Sequence, residues 1–246
     1  MKKAFDNLPE DKRQRILTAS IDEFGENGYE KGSTDKIIKR AGISKGGLYE
    51  YISTKAELFL YVVEYTYRQL YGYLERRIEE EVEEFPDDLL ERLRVVSELA
   101  VDFYIDHPRY VSLIVRTYEL HNEELEEEVR ASFTRHFTDI FGDADGSSIK
   151  YGKEQVTELV TWLLLKTRYE FLTEFNKSRD TSLVKRNYLK NWEFYLSVLR
   201  DGIYRYSWWA GSMVTRVPGG TDLVIHTLPP ITDRAPITVS PPRMVA

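Results

Sequence analysis

Apolar positions recur every three or four residues over most of this chain, the period of a helix that buries one face. Leu17, Ile21 and Phe24 form the first such series. Ahead of it, Pro9, Glu10 and Asp11 suit a first helical turn, where proline loses no hydrogen bond and acids favour the positive dipole end. Gly28 supplies a stop. Ser33 is placed to cap a second helix with Ile37, Ile38 and Ala41, ended by Gly42. Ser44 begins a short third helix in which Leu48 and Ile52 face inward. Thr54 and Glu57 have the spacing of a capping box. That box opens a long helix with Leu58, Val62, Leu70, Leu74, Ile78 and Val82 on one face, reaching about Phe85-Pro86. Further helices are expected near 88–106, 108–120, 122–141, 153–176 and 181–205. No internal repeat and no alternating strand pattern occurs before residue 206, so the predicted fold class is all-α.

After residue 205 the pattern breaks. Residues 206–246 hold six of the nine prolines and only five charged residues. Proline stops helices and cannot donate to a strand ladder, so an irregular Pro-rich tail outside the working core is expected. The alternative is an arm that packs on a partner subunit through Trp208, Trp209, Leu223, Val224 and Ile225.

Composition narrows the classes. Hydrophobic residues make up 42% and charged residues 30% of the 246 positions, an ordinary globular balance with room for one large domain or two modest ones. The absence of cysteine removes disulfides, thiol nucleophiles and cysteine zinc sites, and fits a reducing cytosol. No stretch approaches the roughly 18 apolar residues of a membrane span. The start, MKKAFDNLPEDK, has no apolar core behind its lysines. A cytoplasmic location with no membrane partner is expected.

The net charge of −7 argues at first against nucleic acid, but it is unevenly spread. Residues 1–55 carry eleven Lys and Arg against nine Asp and Glu, a balance of +2, which leaves −9 on the remainder. Such a body repels DNA and lets only the head approach phosphates. Within that head, the segment AGISKGGLYEYISTKAEL joins two short helices through Gly42-Ile43, a helix-turn-helix pattern. Lys45 stands at a helix N-terminus, where backbone amides also attract phosphate. Gly46 and Gly47 let the backbone come close to DNA, at roughly 1 kcal/mol each relative to alanine in a helix. Tyr49 and Tyr51 project hydroxyls in different directions. Lys55 adds charge at the next helix start.

On these residues the head resembles that of the tetracycline-repressor-like (TetR) family of bacterial transcription regulators. The resemblance covers ILTASIDEFGENGYEKGSTDKIIKRAGISKGGLYEYISTKAEL, residues 16–58, and is most specific in AGISKGGLYEYI followed by TKAEL. It implies a DNA-binding domain over 1–55 and a helical effector-binding and dimerisation domain over 56–205. It also implies phosphate contacts from Ser33, Thr34, Tyr49 and Lys55, base reading at Lys45, Gly46 and Gly47, and a second DNA-facing position at Tyr51. Three departures stand out: Gly47 where a hydroxylated residue or alanine is usual, Ile38 for a usual alanine, and Ile52 for a usual phenylalanine. Asp35 is mildly unfavourable beside phosphates.

The implied partners are a double-stranded DNA operator of palindromic sequence, a small-molecule effector and a second copy of the chain. Among the body's many aromatics, Phe103, His107, Tyr110, Tyr118, Trp162 and Tyr169 are the candidates for an effector pocket. Effector binding is expected to move the helix from Thr54 and tilt the heads out of register with two half-sites. Two stripes, Val156-Val160-Leu163-Leu164-Thr167-Phe171-Phe175 and Tyr188-Trp192-Leu196-Leu199-Ile203, suggest a homodimer through a four-helix bundle, unless both are internal core.

No cofactor is expected. The four histidines show no i, i+4 pair, and the glutamate runs at 79–84 and 123–128 read as solvated faces. No G-x-S-x-G, phosphate-binding glycine loop or H-E-x-x-H occurs, so no catalytic residue is named and no enzyme is expected. Two other classes remain: a constitutive DNA-binding or architectural protein, which a filled or closed body cavity would favour, and, remotely, an enzyme using the aromatic body.

Overall fold

The computed structural model describes residue 5, residues 7–142, 144, 145 and 147, and residues 149–203. The expectations for 206–246 lie outside these residues. The described chain contains α1 (Glu10–Lys31), α2 (Thr34–Ala41), α3 (Lys45–Tyr49), α4 (Lys55–Glu81), α5 (Leu89–Asp106), α6 (Pro108–Arg116), α7 (Glu123–Phe141), α8 (Lys153–Lys177) and α9 (Thr181–Ile203). A single 3₁₀ turn, Thr117–Glu119, follows α6. Among the described residues the only extended pairing is a bridge between Asp88 and Asp145. None of the described helices is long and apolar enough to cross a membrane.

Short polar side chains start most of these helices. The Ser33, Ser44 and Thr54 hydroxyls accept from the amides of Lys36, Gly47 and Glu57, at 3.4, 3.0 and 3.1 Å. Asp88 and Asn122 do the same for α5 and α7. Each cap stabilises its helix by about 1 kcal/mol. The Glu57 carboxylate reaches back to the Ser53 amide at 2.5 Å, one residue before the expected partner.

Two boundaries differ from the sequence pattern. Gly28 kinks α1 with φ 70° and ψ −178° rather than ending it, and the helix continues to Lys31. At the other end of the long helix, α4 stops at Glu81. The cluster of glutamates from Glu79 to Glu84 crowds like charge at the negative end of the dipole, which disfavours further turns.

The head packs into the body around a continuous core that includes Phe24, Ile37, Leu48, Ile52, Phe59, Leu70, Val101, Tyr104, Phe171 and Trp192. The division expected at residue 55 falls on the first residue of α4, which runs from head to body without a break. Helix α1 also lies against α6. A Cβ on Gly25 would sit 3.4 Å from the Leu113 amide nitrogen and from Ser112 Cβ, so the absence of a side chain permits this approach. Arg109 pairs with Asp22 at 3.2 Å across the same contact.

The two stripes expected to serve dimerisation turn inward instead. Val156, Val160, Leu163, Leu164, Thr167 and Phe171 of α8 are buried, as are Tyr188, Trp192 and Leu196 of α9. Phe175 and Leu199 pack partly buried against them. The outward apolar residues are Trp162 and Tyr169 on α8 and Phe194 and Val198 on α9, each more than half exposed.

Candidate DNA-binding and effector sites

Gly42 closes α2 in the left-handed region, at φ 65° and ψ 40°, a conformation that favours glycine. Its amide and that of Ile43 return to Ile38 and Lys39 carbonyls, which sets the turn into α3. Beneath α2 lies Glu23 of α1, fully buried. Its carboxylate accepts from the Ser33 amide at 3.2 Å and from Asn27 at 3.1 Å, and faces Lys36 and Arg40 at 3.5 and 3.7 Å. This anion anchors the α2 N-terminus to α1. Sequence reasoning passed over Glu23; its signal was an acid on the inner side of α1, one residue before Phe24.

On the opposite, exposed side, α2 and α3 bring four of the expected residues together. Lys45 Nζ stands 3.1 Å from Asp35 Oδ1, and the Tyr49 hydroxyl 3.4 Å from Thr34 Oγ1. A side chain on Gly46 would meet nothing within 4 Å, so no internal packing requires glycine there. A Cβ on Gly47 would instead press on its own cap, 3.0 Å from Ser44 Oγ. Ser33 is partly buried and serves as the α2 cap.

Two residues lie elsewhere. Tyr51 is half-buried, edge-on to Phe5 at 6.1 Å, with Lys12 Nζ 5.4 Å over its ring. It therefore packs towards the start of α1. Lys55 Nζ donates to the carbonyl oxygens of Tyr29, Glu30 and Gly32 at 2.9, 3.3 and 3.4 Å, and sits 4.4 Å over the Tyr29 ring. It neutralises the end of α1 in this conformation, where the helix dipole is negative.

The six effector candidates divide into two groups. Phe103, His107 and Tyr110 form one aromatic cluster, with His107 centred 4.6 Å from Phe103 and 5.4 Å from Tyr110. Tyr65 and Tyr73 of α4 close it. Burial, helped by Tyr65, pushes the Tyr110 hydroxyl up to about 12. Tyr118, Trp162 and Tyr169 instead border an open groove on the outer side of α8. Trp162 and Tyr169 are 57% and 60% exposed, while Tyr118 stands beside the buried Arg168. The helical period gave both the inner and the outer side of α8 aromatic residues, and only packing separates them.

Among the polar groups in the body's interior is Arg168 of α8, 2% exposed. Its Nε donates to the Tyr104 hydroxyl at 2.9 Å, while its Nη1 is buried without a hydrogen-bond partner. No carboxylate pairs with it among the described residues. Burial pushes the Tyr71 hydroxyl up and the adjacent Arg168 charge pulls it back. Arg168 and Trp192 line a cavity of about 10 Å³, room for about one water. Trp192 Nε1 is also buried without a partner. Arg168 was legible only as a charge interrupting the inward series Val160, Leu164 and Phe171.

Residues 16–62 match the family described as bacterial regulatory proteins, tetR family. The HTH-type transcriptional activator FasR of Mycolicibacterium smegmatis is 34% identical over 101 residues, 41% of this chain and 43% of that one. The chain thus spans less than half the length of this curated relative. A TetR family transcriptional regulator from Chloroflexus aurantiacus superposes with a TM-score of 0.59 at 21% identity, over 83% of this chain and 98% of that one. The transcriptional regulator FadR of Bacillus subtilis, solved in complex with stearoyl-CoA, gives 0.53 at 17% identity, over 73% and 96%. At these identities the two structural likenesses are likenesses of fold.

Proposed function

We propose, for a chain that belongs through residues 16–62 to the tetR family of bacterial regulatory proteins, a ligand-responsive regulator of transcription that binds a palindromic operator as a homodimer. The observation that carries it is the exposed patch of Lys45, Gly46 and Tyr49 with the half-buried Thr34 beside it, held by α2 and α3 within the matched residues. Lys45 and the open backbone at Gly46 approach base edges; Thr34 and Tyr49 take phosphates. Ser33 and Gly47 support this face, Tyr51 packs towards the start of α1, and Lys55 joins the face on release from the end of α1. An operator places the protein's work in the cytoplasm.

The body supplies the response. Helix α4 joins head to body directly, and α6 grips α1, so a change among α4, α5 and α6 reaches the head. The stearoyl-CoA complex of the Bacillus subtilis regulator supports an effector with a long apolar chain for a body of this fold. The constitutive alternative draws on the narrowness of the inner cavity, about 10 Å³. An effector then binds a more open arrangement and shifts the population towards it.

Selection from random duplexes tests the DNA reading. An enriched palindrome is expected, with affinity falling steeply as salt rises. Recovery of no motif overturns it.

A further inference from the structure

We propose that Arg168 is the anchor for the carboxylate of an effector whose apolar chain lies between α7 and α8. This rests on the reading of the body as an effector domain, and it names the ligand class.

The first observation is a mismatch of donors. Arg168 stays charged at any pH a cell offers, so it has no escape by losing its proton. Its Nη1 is buried and makes no hydrogen bond, with the neutral hydroxyls of Tyr71 and Tyr118 beside the guanidinium; Trp192 Nε1, which donates only, is likewise unbonded, with the Tyr188 hydroxyl beside it. Arg168 and Trp192 line the same cavity. Two orphan donors at one cavity, one of them cationic, lack an acceptor that carries negative charge. A water of the size the cavity holds accepts hydrogen bonds but does not neutralise the guanidinium. A carboxylate does both, and its two oxygens match the guanidinium fork.

The second observation is where the cavity leads. Phe141 of α7 borders it, and on its other side borders a second, larger cleft. That cleft measures about 280 Å³ and is lined mainly by apolar groups, among them Leu89, Phe137, Val156 and Val160. A ligand with its carboxylate at Arg168 extends past Phe141 into this cleft once the Phe141 ring turns aside. The cavity at Arg168 is too small to admit the headgroup without such movement. Binding therefore displaces α7 or α8 relative to α5, and this is the coupling an effector requires.

The test uses the full chain and isothermal titration with octanoate and dodecanoate, each beside its methyl ester. The ester keeps the tail and loses the charge. The acids are expected to bind at least about tenfold more tightly than their esters, the difference expected of a charge-assisted pair. In Arg168→Met the acid should bind no better than the ester. The ligand-free variant should also melt at the same temperature as the parent or higher, because an unpaired buried charge has been replaced by an apolar group. Trp192→Phe keeps the ring and removes the donor, and should weaken the acid several-fold without affecting the ester. Equal binding of acid and ester overturns the proposal, as does binding of neither, or an Arg168→Met chain that retains the preference for the acid. Operator release is measured separately. Acids that bind through Arg168 and leave the operator in place support this site and overturn the effector reading instead.

Discussion

Arg116 on α6 donates from Nε to the carbonyl oxygen of Gly25 on α1 at 3.3 Å, and from Nη2 to that of Glu26 at 3.2 Å. One guanidinium thus holds the body to the DNA-binding head at the place where Gly25 allows the two helices to touch. Arg116→Met should remove both bonds at a cost of about 1–2 kcal/mol. For a chain of this size that lowers Tm by roughly 2–4 °C per kcal/mol, read by scanning calorimetry. Operator affinity without effector should change little, while effector-induced release should weaken. Unchanged release in the variant would show that α4 alone carries the signal.

Lys45 and Lys55 were both expected on the DNA-facing side, Lys45 reading bases and Lys55 meeting phosphate, and the structure separates their surroundings further. Lys45 is exposed and, among the described residues, pairs with Asp35 across the α2–α3 face. Lys45→Ala should leave Tm unchanged, weaken operator binding and relax its sequence preference. Asp35→Ala should tighten binding, since it frees Lys45 and removes an anion from the phosphate side. Lys55→Ala should lower Tm, because the carbonyls of Tyr29, Glu30 and Gly32 lose their cation. Melting curves and fluorescence anisotropy at two salt concentrations separate the three.

Glu64 of α4 ties that helix to α7. Its carboxylate accepts from Ser132 Oγ at 2.6 Å and faces His136 Nε2 at 3.2 Å and Arg135 Nη2 at 3.7 Å. Burial raises its pKa, but the bonds from Ser132 and His136 and the positive neighbours outweigh it, so the folded value lies below the ordinary 4.5. A depressed carboxylate contributes stability above its unfolded value and loses it as pH falls through the folded one. The stabilisation of the parent over Glu64→Gln, read as a difference in Tm, should therefore shrink as pH falls below 4.5. A difference that grows on acidification would contradict this assignment.

The dimer should form through the outward residues of α8 and α9. Phe194 and Val198 stand one turn apart on α9, 61% and 55% exposed, with Trp162 and Tyr169 on α8. Four large apolar side chains left in water are unusual enough to mark an interface. Light scattering should give a dimer mass for the parent and a monomer mass for Phe194→Glu with Val198→Glu. Operator affinity should fall with it, since two heads no longer share one palindrome. A monomeric parent would refute the dimer.

Much of the helical layout was legible because its signals are local. Ser33, Ser44 and Thr54 each cap the helix that their spacing announced. Pro108 opens α6, and α9 begins at Thr181 as its pattern indicated. Less was legible where a residue serves two purposes. Gly28 reads as a stop but acts as a kink, because α1 continues to gain packing beyond it. Tyr51 reads as DNA-facing, and lies against Phe5 because a second aromatic waits ahead of α1.

By itself the sequence determined the succession of helices and the chemistry of the turn from Ser33 to Tyr49. Helical period, capping hydroxyls and the left-handed Gly42 all act within a few residues of one another. Only the tertiary structure decided which side of α8 is inner and which outer, that Lys55 lies on the end of α1, and that Arg168 is enclosed without a counter-ion. Those outcomes depend on contacts between residues far apart in the chain, such as Arg168 with Tyr104 across α8 and α5. Periodicity shows that a helix has faces; it does not show which neighbour each face will meet.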